Sequence, residues 1–235
     1  PDLETLSLPD ALARASALAQ GKISDHLNGL GGNTADAMRY SAQGGKGLRA
    51  FLTMESALLF GIDRAVSAPA AGAIEALHSY SLIHDDMPCM DDDDTRRGKP
   101  TVHKKWDETT AVLAGDALQT LAFQLVLAVE VPAENRLKLA QGLAEAAGIR
   151  GMVGGQEMDI VAESAEIPLT LDEITLLQAG KTGALITWSS TAGAIMAGED
   201  ARKLRIFGDN LGLALRIWED VRAVEGDAAI MGKAV

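Results

Sequence analysis

The stretch HDDMPCMDDDDTRRG, residues 84–98, places six carboxylates, one imidazole and two guanidinium groups in fifteen positions. Two unit charges about 5 Å apart repel each other by roughly 3 kcal/mol at an effective dielectric constant of about 20. If the segment folds compactly, either a cation lies among the aspartates or all of them point to water. For the run 91–94 taken alone, a solvated acidic loop is the favoured interpretation, as it is for most runs of like charge.

The first two aspartates fall where a helix is predicted to end. Residues 68–86 have the apolar spacing of a helix, and Pro88 disfavours helical geometry in the residue before it, so the helix should end near Asp86. Asp85 and Asp86 then lie in the last turn, where the helix dipole disfavours carboxylates. Such breaks of a local rule often mark functional sites. A turn at Pro88 would let Asp85 and Asp91 face one cation.

The available ligands indicate which cation this would be. Oxygen ligands without a nearby cluster of cysteine and histidine favour Mg²⁺ or another hard ion over zinc. His84 and His103 are present, but their spacing matches no zinc pattern. Together with the conflict at the helix end, the pair Arg96 and Arg97 favours a site for a metal and a diphosphate over a solvated loop.

Composition and charge exclude several other classes of function. The chain has 235 residues, of which 47% are hydrophobic and 23% charged, values typical of a globular protein with a sizeable core. The formal net charge is −12 and the sequence pI is about 4.7, so nucleic-acid binding is not expected, because it needs a basic surface. A bound phosphate would have to be held by a few local cations or by a metal.

The compartment is predicted from cysteine usage and hydropathy. Cys89 is the only cysteine, which excludes an internal disulfide and favours a reducing compartment. No secretory signal is visible at the start of the sequence, and the most apolar stretch, residues 121–131, is too short to span a bilayer. We therefore expect a cytoplasmic protein without a membrane span.

Helices are predicted throughout, because apolar residues recur at spacings of three and four and no stretch alternates for long. The predicted helices are 9–27, 47–60, 68–87, 107–130, 134–162, 171–179, 182–197 and 199–224. Thr170 and Glu173 fit a capping box. No repeat or linker is visible, so residues 1–235 are expected to form one all-α domain. Helices that are apolar almost all round belong at the centre of a bundle or at a subunit interface.

Several motifs resemble one family. HDDMPCMDDDDTRRGKPTVHKKW resembles the first aspartate-rich motif, DDxxxxD followed by RRG, of trans-prenyl diphosphate synthases of the farnesyl and geranylgeranyl type. Further similar segments follow the family order from about residue 36 to 233: GGKGLRAFL, LAGDALQTLAF, GMVGGQEMD and KTGALI. The resemblance implies a bundle of long helices around a deep central cavity, usually in a homodimer. Family members continue past the point where this chain stops, so its last helices are expected to be missing.

The resemblance also implies a reaction. Two or three Mg²⁺ ions help an allylic diphosphate to ionise, and the carbocation alkylates isopentenyl diphosphate in a dry apolar pocket. The implied product is farnesyl diphosphate, with a geranylgeranyl-length product as an alternative. A catalytically weak relative that binds diphosphates or regulates an active subunit is a second possibility. A class I terpene cyclase is disfavoured, because it has no need of the isopentenyl site that Lys46, Arg49, His78 and Arg97 would form.

The resemblance assigns roles at the ionising centre to residues that match the family motifs. Asp85 and Asp91 would ligate Mg²⁺, and Asp86 would support them. Lys181 and Thr182 would hold the allylic diphosphate at the start of a helix, where backbone N–H groups help. Without the resemblance, an ordinary loop lysine is an equally good interpretation of Lys181.

Five further residues are implied to bind the two diphosphates. Arg96 would contact the allylic diphosphate and Arg97 the isopentenyl diphosphate. Lys46, Arg49 and His78 would complete the isopentenyl pocket, since each offers a positive or donor group to a phosphate. Taken alone, His78 is better interpreted as a buried, hydrogen-bonded histidine.

The second aspartate-rich motif of the family, FQxxDDxxD, is altered here. In the aligned stretch 215–227 its three acidic positions are Glu219, Asp220 and Ala223, and its glutamine is Arg216. Glu219 remains a candidate metal ligand, although its extra methylene demands adjustment in a site that favours octahedral geometry. Arg216 lies three residues before Glu219, a spacing at which two side chains can pair and compete with a metal.

Product length is predicted from Tyr80. In the family that the motifs resemble, the residue five positions before the first motif lines the floor of the cavity in which the product grows. An aromatic ring at this position predicts that elongation stops at the farnesyl length. The alternative is that Tyr80 is simply a core aromatic residue.

Overall fold

The computed structural model describes residues 6–163 and 170–225, without the side chains of residues 163, 171, 219, 220 and 222–225. Helices dominate the described residues, which confirms the all-α prediction. The α-helices, numbered in chain order, are α1 Leu8–Leu27, α2 Asn33–Ser41, α3 Leu48–Leu58, α4 Arg64–Asp85, α5 Val102–Lys105, α6 Glu108–Leu127, α7 Ala133–Ala147, α8 Met152–Glu163, α9 Leu171–Gln178, α10 Ala184–Ala197 and α11 Arg202–Glu225.

Two smaller elements complete the described part. A π-helical turn, Ala179–Gly183, joins α9 to α10. A short antiparallel hairpin pairs β1, Thr95–Arg96, with β2, Lys99–Pro100. This hairpin directly follows the acidic run, and the sequence periodicity did not predict it. It is only two residues long on each side, too short for alternation to show.

One predicted helix is wrong, because the segment 134–162 forms two helices instead of one. The helix α7 ends at Ala147, the N–H of its C-cap Gly148 donates to the carbonyl of Ala144, and α8 begins only at Met152. Gly151 permits this sharp break: a Cβ atom there would lie 2.1 Å from the carbonyl oxygen of Ala146. The remaining predicted segments each coincide with one helix to within a few residues, and the capping box of Thr170 and Glu173 is confirmed.

The helix α4 lies at the centre of the bundle and packs against α1, α3 and α6. Its sequence is rich in alanine, which lets neighbouring helices approach closely, and Ile74 and Leu77 are completely buried. At Gly72 the backbone approaches both α1 and Leu125 of α6. The centre of the fold therefore carries the helix whose end bears the first two aspartates.

The helix α10 is buried along almost its whole length although it contains several hydroxyl groups. Ser189, Ser190 and Thr191 each donate a hydrogen bond to the carbonyl four residues earlier, at 2.8–2.9 Å, which satisfies them inside the core. Ser56 of α3 accepts a hydrogen bond from the Gly193 N–H at 3.0 Å. The backbones of α3 and α10 are therefore in close contact at Gly193.

The helix α6 has a mixed environment. Among the described residues it is the one helix that is long and apolar enough to cross a membrane by length and composition. The stretch 121–131, judged too short from the sequence, overlaps only the end of this helix, which begins at Glu108. Half of its apolar window is buried inside the bundle, and core helices of globular proteins pass the same test. Its other face exposes the apolar side chains of Val112, Leu113 and Leu127.

The contact between α3 and α10 gives a test of the packing. A Cβ atom at Gly193 would lie 2.1 Å from the carbonyl carbon of Ser56, so Gly193→Ala must push two helix backbones apart. We expect the free energy of unfolding to fall by about 3 kcal/mol, the upper end of overpacking costs. Gly21→Ala is the matched control, because nothing lies within 4 Å of its Cβ position in α1, and it should gain about 0.5–1 kcal/mol. Equal urea midpoints for the two variants would contradict this packing.

Candidate active site

A cavity of about 1100 Å³ opens beside the C-terminal end of α4. It contains both charged and apolar lining residues, as a site for an amphipathic ligand requires. The residues singled out from the sequence that line it include Lys46, Arg49, His78, Tyr80, Asp85, Arg96, Lys181, Thr182 and Arg216. Asp86, Asp91 and Arg97 are not among its lining residues, although they lie in the same turn and hairpin that border it.

The chain folds back after α4 as the sequence predicts. The helix ends at Asp85, and Asp86 forms its C-cap. The N–H of Asp91 donates to the carbonyl of Asp85 at 2.9 Å, and the N–H of Asp92 donates to the carbonyl of Met87 at 3.1 Å. Asp92 adopts a left-handed conformation with φ of 49°, which closes the turn. Asp85 and Asp91 are thereby brought together despite the six-residue separation.

The cation required among the aspartates is Arg96. Its Nε donates to both carboxylate oxygens of Asp86 at 2.7 and 2.9 Å, and its Nη2 makes a further close contact with the same carboxylate. Asp86 is only 3% exposed. Burial acts to lower the pKa of Arg96, but the hydrogen bonds to Asp86 and the charges of Asp86, Asp85 and Asp93 raise it above its ordinary value. Asp86 thus holds Arg96 in place and does not itself face the cavity.

The last part of the acidic run is partly a solvated surface. Lys104 pairs with Asp94 at 2.8 Å and approaches Asp92 at 3.9 Å, and both aspartate side chains are mostly exposed. Exposed ion pairs of this kind contribute little to stability. The interpretation as a solvated acidic loop therefore holds for Asp92 and Asp94. Thr101 fixes the other side of the turn, because its hydroxyl donates to the carbonyl of Asp93 at 2.8 Å.

Two polar residues of α8 that the sequence analysis did not single out contact the predicted site. The side-chain amide of Gln156 donates to the carboxylate of Asp85 in a short hydrogen bond. The carboxylate of Asp159 forms a short ion pair with Lys181. Both belong to the segment GMVGGQEMD, and their spacing of three puts them on one face of a helix, which is the signal that could have identified them.

Lys181 and Thr182 do not lie at the start of a helix, so this part of the sequence-based expectation is wrong. They lie within the π-helical turn, and the residues on both sides of the turn are helical. The turn is packed tightly: a Cβ atom on Gly155 would lie 2.1 Å from the backbone nitrogen of Lys181, and one on Gly212 would lie 2.9 Å from the Cα of Gly183. Glycines on α8 and α11 therefore fix its position. Single π-helical turns occur frequently at functional sites.

The opposite side of the site is cationic. Arg97 donates to the carbonyl of Gln43 at 3.0 Å, and Lys46 lies 5.7 Å from the ring centre of Trp218. His78 is partly buried in the cavity wall, and burial, followed by the charges of Arg49, Arg97 and Arg96, holds its pKa well below its ordinary value. The imidazole is therefore neutral at neutral pH and can donate a hydrogen bond without adding charge.

Tyr80 fits both interpretations offered from the sequence. It belongs to the main hydrophobic core, is 8% exposed and stacks edge-on against His84 with ring centres 5.4 Å apart. It also lines the cavity. Burial raises the pKa of its hydroxyl, a hydrogen bond with Gln119 lowers it, and the charge of Asp116 raises it. Both of these neighbours lie on α6, so the ring lies between α4 and α6.

The altered second motif is only partly described. Arg216 and Trp218 of α11 line the cavity. The backbone of α11 continues through Glu219, Asp220 and Ala223, but these side chains lie outside the described residues. The pairing of Arg216 with Glu219 and the role of Glu219 as a metal ligand therefore stay predictions.

Asp85 lines the cavity, and Asp91 lies in the adjoining return turn, so the role of both carboxylates as ligands of a hard cation stays a prediction. Among the described residues, no three side chains of His, Cys, Asp or Glu converge as they would in a site made wholly of protein ligands. This donor set fits Mg²⁺, which is usually bound through one or two carboxylates and completed by water and substrate phosphates.

Known proteins resemble the chain in sequence and in structure. The family model described as Polyprenyl synthetase matches residues 33–235. Farnesyl diphosphate synthase of Geobacillus stearothermophilus is 46% identical over 206 residues, covering 85% of this chain and 69% of that protein. The enzyme of the same name from Escherichia coli is 44% identical over 207 residues, covering 84% and 68%. The crystal structure of an FPP/GFPP synthase from Zymomonas mobilis matches with a TM-score of 0.89 at 42% identity, covering 96% of this chain and 82% of that one.

The lowered pKa of His78 predicts a pH-dependent stability. Because the folded pKa lies below the unfolded value of about 6.5, the unfolded chain binds this proton more readily, and stability falls as the pH drops below about 6.5. Between pH 7.5 and 5.5, wild type should lose about 1 kcal/mol more unfolding free energy than His78→Gln, whose side chain does not titrate. Urea titrations at the two pH values measure the difference.

The control for this experiment is His26→Gln, because His26 is exposed on α1. This variant should show the same loss of stability as wild type. If His78→Gln also matches wild type at both pH values, the folded pKa of His78 is not lowered.

Proposed function

Because this chain belongs to the polyprenyl synthetase family, we propose that it condenses an allylic diphosphate, dimethylallyl or geranyl, with isopentenyl diphosphate to give farnesyl diphosphate. It is then a transferase of the prenyltransferase type. The observation that supports the proposal is the cavity that Asp85 lines together with Lys46, Arg49 and Lys181. A diphosphate needs cations and metal-bearing carboxylates together, and an isoprenoid tail needs the apolar wall beside them.

Mg²⁺ is the cofactor that we infer, in two or three ions. Asp85 and Asp91 would hold it, with Glu219 as a further ligand, and Asp86 would act through Arg96. When bound, Mg²⁺ would supply positive charge that stabilises the departing diphosphate. Oxygen-only ligands at the return turn support this choice.

The allylic half of the reaction is assigned to the cations near Asp85. Lys181, Thr182 and Arg96 bind the allylic diphosphate and orient its C–O bond. Breaking that bond leaves a carbocation and a free diphosphate, and the fixed cations stabilise the charge that develops on the leaving group. The ion pair of Lys181 with Asp159 and the hydrogen bond of Asp85 with Gln156 hold both side chains ready for these contacts.

The second half of the reaction is assigned to the cationic wall. Lys46, Arg49 and Arg97 bind isopentenyl diphosphate, and the neutral His78 donates a hydrogen bond to it. The double bond of isopentenyl diphosphate attacks the carbocation, a C–C bond forms, and a proton passes to the departing diphosphate. The chain then supplies positioning and exclusion of water, and needs no separate catalytic base.

One specific observation favours a second candidate, a catalytically weak relative that binds diphosphates or regulates an active subunit. The second motif contains Ala223 in place of a carboxylate and Arg216 in place of an uncharged glutamine. Both changes make the surroundings of a metal more positive. An enzyme that is inactive at every Mg²⁺ concentration would favour this candidate.

We also infer the setting in which the protein works. The chain is proposed to form one domain, and the exposed apolar side chains of Leu113 and Leu127 on α6 support a homodimer, since exposed apolar patches mark interaction sites. The partners are small isoprenoid diphosphates. A single exposed cysteine, Cys89, supports a cytoplasmic location, where thiols stay reduced.

The assignment of Asp85 is tested by turnover of dimethylallyl and isopentenyl diphosphates with Mg²⁺, with products identified by mass spectrometry. Wild type should form farnesyl diphosphate and lose all activity in EDTA. Asp85→Ala should lower kcat about 100-fold or more, the size of losing a group that stabilises developing charge. Asp94→Ala is the matched control, because Asp94 pairs with Lys104 at the surface, and it should retain activity. Full activity of Asp85→Ala would overturn the assignment.

Product length tests the role of Tyr80. If its ring closes the floor of the cavity, Tyr80→Ala should shift the products from farnesyl to geranylgeranyl length or longer, because removing the ring opens space toward α6. Tyr80→Phe keeps the ring and should keep the farnesyl product. Mass spectrometry of the products gives the answer. An unchanged length in Tyr80→Ala, or long products from wild type, would show that the ring is only part of the core.

A further inference from the structure

The carboxylate of Glu75 lies close to the segments that carry the cationic wall of the cavity. Glu75 lies on α4, one turn before His78, and is partly buried. Its Oε1 accepts a hydrogen bond from the backbone N–H of Ala50 at 3.0 Å. The negative charge of Glu75 also attracts Arg97. Burial lowers the pKa of the Arg97 guanidinium, and among the charges that raise this pKa, that of Glu75 has the largest effect. Glu75 therefore interacts with two segments that carry cations of the wall.

The first of these segments is the start of α3. The N–H groups of the first turn of a helix have no partner within the helix and need a cap. The residue before α3, Gly47, cannot provide one, and no side chain of its own segment does. Ala50 occupies the third position of the helix. The backbone N–H at this position normally donates a hydrogen bond to the side chain of the N-cap residue. Glu75 supplies this cap from the neighbouring helix α4.

Gly47 shows why the cap comes from outside the segment. Its φ of 69° is left-handed, and a Cβ atom there would lie 2.7 Å from the Cβ of Ser16 on α1. Serine, threonine, asparagine and aspartate, the usual capping residues, are therefore excluded at this position by contact with α1. Lys46 directly precedes this glycine and Arg49 lies in the first turn, so the direction in which both cations point depends on how the turn is held.

The second segment is the glycine-rich stretch before α3. The guanidinium of Arg97 lies against Gly45, where a Cβ atom would be 3.3 Å from Nη2, and it donates to the carbonyl of Gln43 at 3.0 Å. On the other side, Ser16 donates weakly to the carbonyl of Gly45 at 3.4 Å. The stretch is thus held between α1 and Arg97, and Glu75 acts on Arg97 by charge and on the following turn by a hydrogen bond.

We propose that Glu75 is a positioning residue for the isopentenyl half of the cavity: by capping α3 it fixes the turn that carries Lys46 and Arg49. The inference rests on the proposed function, which assigns isopentenyl diphosphate to this wall. A negative charge here opposes the binding of an anion by Coulomb's law. Any favourable contribution of Glu75 to diphosphate binding must therefore come from positioning, and the hydrogen bond to Ala50 is the contact that provides it.

Three substitutions separate the hydrogen bond from the charge. Glu75→Gln keeps the length of the side chain and an acceptor oxygen but loses the charge. Glu75→Asp keeps the charge but is one methylene shorter and does not reach the Ala50 N–H. Glu75→Ala loses both. Steady-state kinetics give KM for isopentenyl diphosphate and for the allylic substrate separately, and calorimetry gives the Kd of isopentenyl diphosphate directly.

We expect Glu75→Ala and Glu75→Asp to raise KM and Kd for isopentenyl diphosphate about tenfold, which corresponds to about 1.4 kcal/mol. KM for the allylic diphosphate should stay within about twofold of the wild-type value. The cations assigned to this substrate, Lys181 and Arg96, lie in the π-helical turn and in β1, away from the start of α3. Glu75→Gln should remain within about threefold of wild type for both substrates. Thermal unfolding midpoints show whether each variant folds. If Glu75→Ala does not fold, the difference in KM and Kd for isopentenyl diphosphate between Glu75→Gln and Glu75→Asp tests the proposal.

The matched control is Glu55→Ala. Glu55 lies on α3 itself, near the opposite end from the turn that Glu75 caps, and pairs with Arg64 of α4 at 2.6 Å. This variant should leave both KM values unchanged. The proposal would be overturned if Glu75→Ala left the Kd of isopentenyl diphosphate unchanged. It would also be overturned if Glu75→Gln bound isopentenyl diphosphate as weakly as Glu75→Ala while Glu75→Asp bound it as tightly as wild type.

Failure of the proposed function gives a different result. In that case wild type forms no product, whereas the Kd of isopentenyl diphosphate still reports on Glu75. A wild type that turns over normally while all three variants keep its KM values overturns the role of Glu75 alone.

Discussion

Six carboxylates within ten residues have to be accommodated at the end of one buried helix, and the surrounding structure depends on how this is done. The main solution is the buried pair of Asp86 and Arg96, which removes one negative charge from the cavity and anchors the hairpin that follows. Breaking such a pair leaves an uncompensated buried charge, which typically costs about 3–5 kcal/mol. With Asp86 neutralised in this way, the return turn can place Asp85 and Asp91 together.

The same hairpin links the two sides of the cavity. Arg96 turns back to the carboxylates, whereas its neighbour Arg97, in a left-handed conformation with φ of 54°, points toward the glycine-rich stretch before α3. Two adjacent arginines thus serve two different walls. The neutral His78 adds no further positive charge near these arginines, and Glu75 caps the helix whose first turn carries Arg49. Anion binding at this site needs fixed cations more than it needs additional ones.

Local rules were sufficient to predict the end of α4, the return turn and the capping box at Thr170. They could not predict which partners meet across the fold. Gln156 lies 71 residues from the Asp85 that it contacts, and no local pattern encodes such a pairing. The break between α7 and α8 was missed for a related reason, because periodicity continues through it while Gly151 allows a close backbone contact that only the folded chain reveals. The π-helical turn was likewise hidden, since its position is set by glycines on α8 and α11.

We propose that the carboxylate side of the cavity binds a diphosphate through a divalent cation. Calorimetric titration of wild type with inorganic pyrophosphate, in EDTA and in Mg²⁺, tests it most directly. We predict that Mg²⁺ tightens pyrophosphate binding at least about tenfold and that pyrophosphate tightens Mg²⁺ binding by the same factor, as linkage requires. Equal pyrophosphate affinities in EDTA and in Mg²⁺ would contradict the claim and leave the fixed cations as the whole binding site.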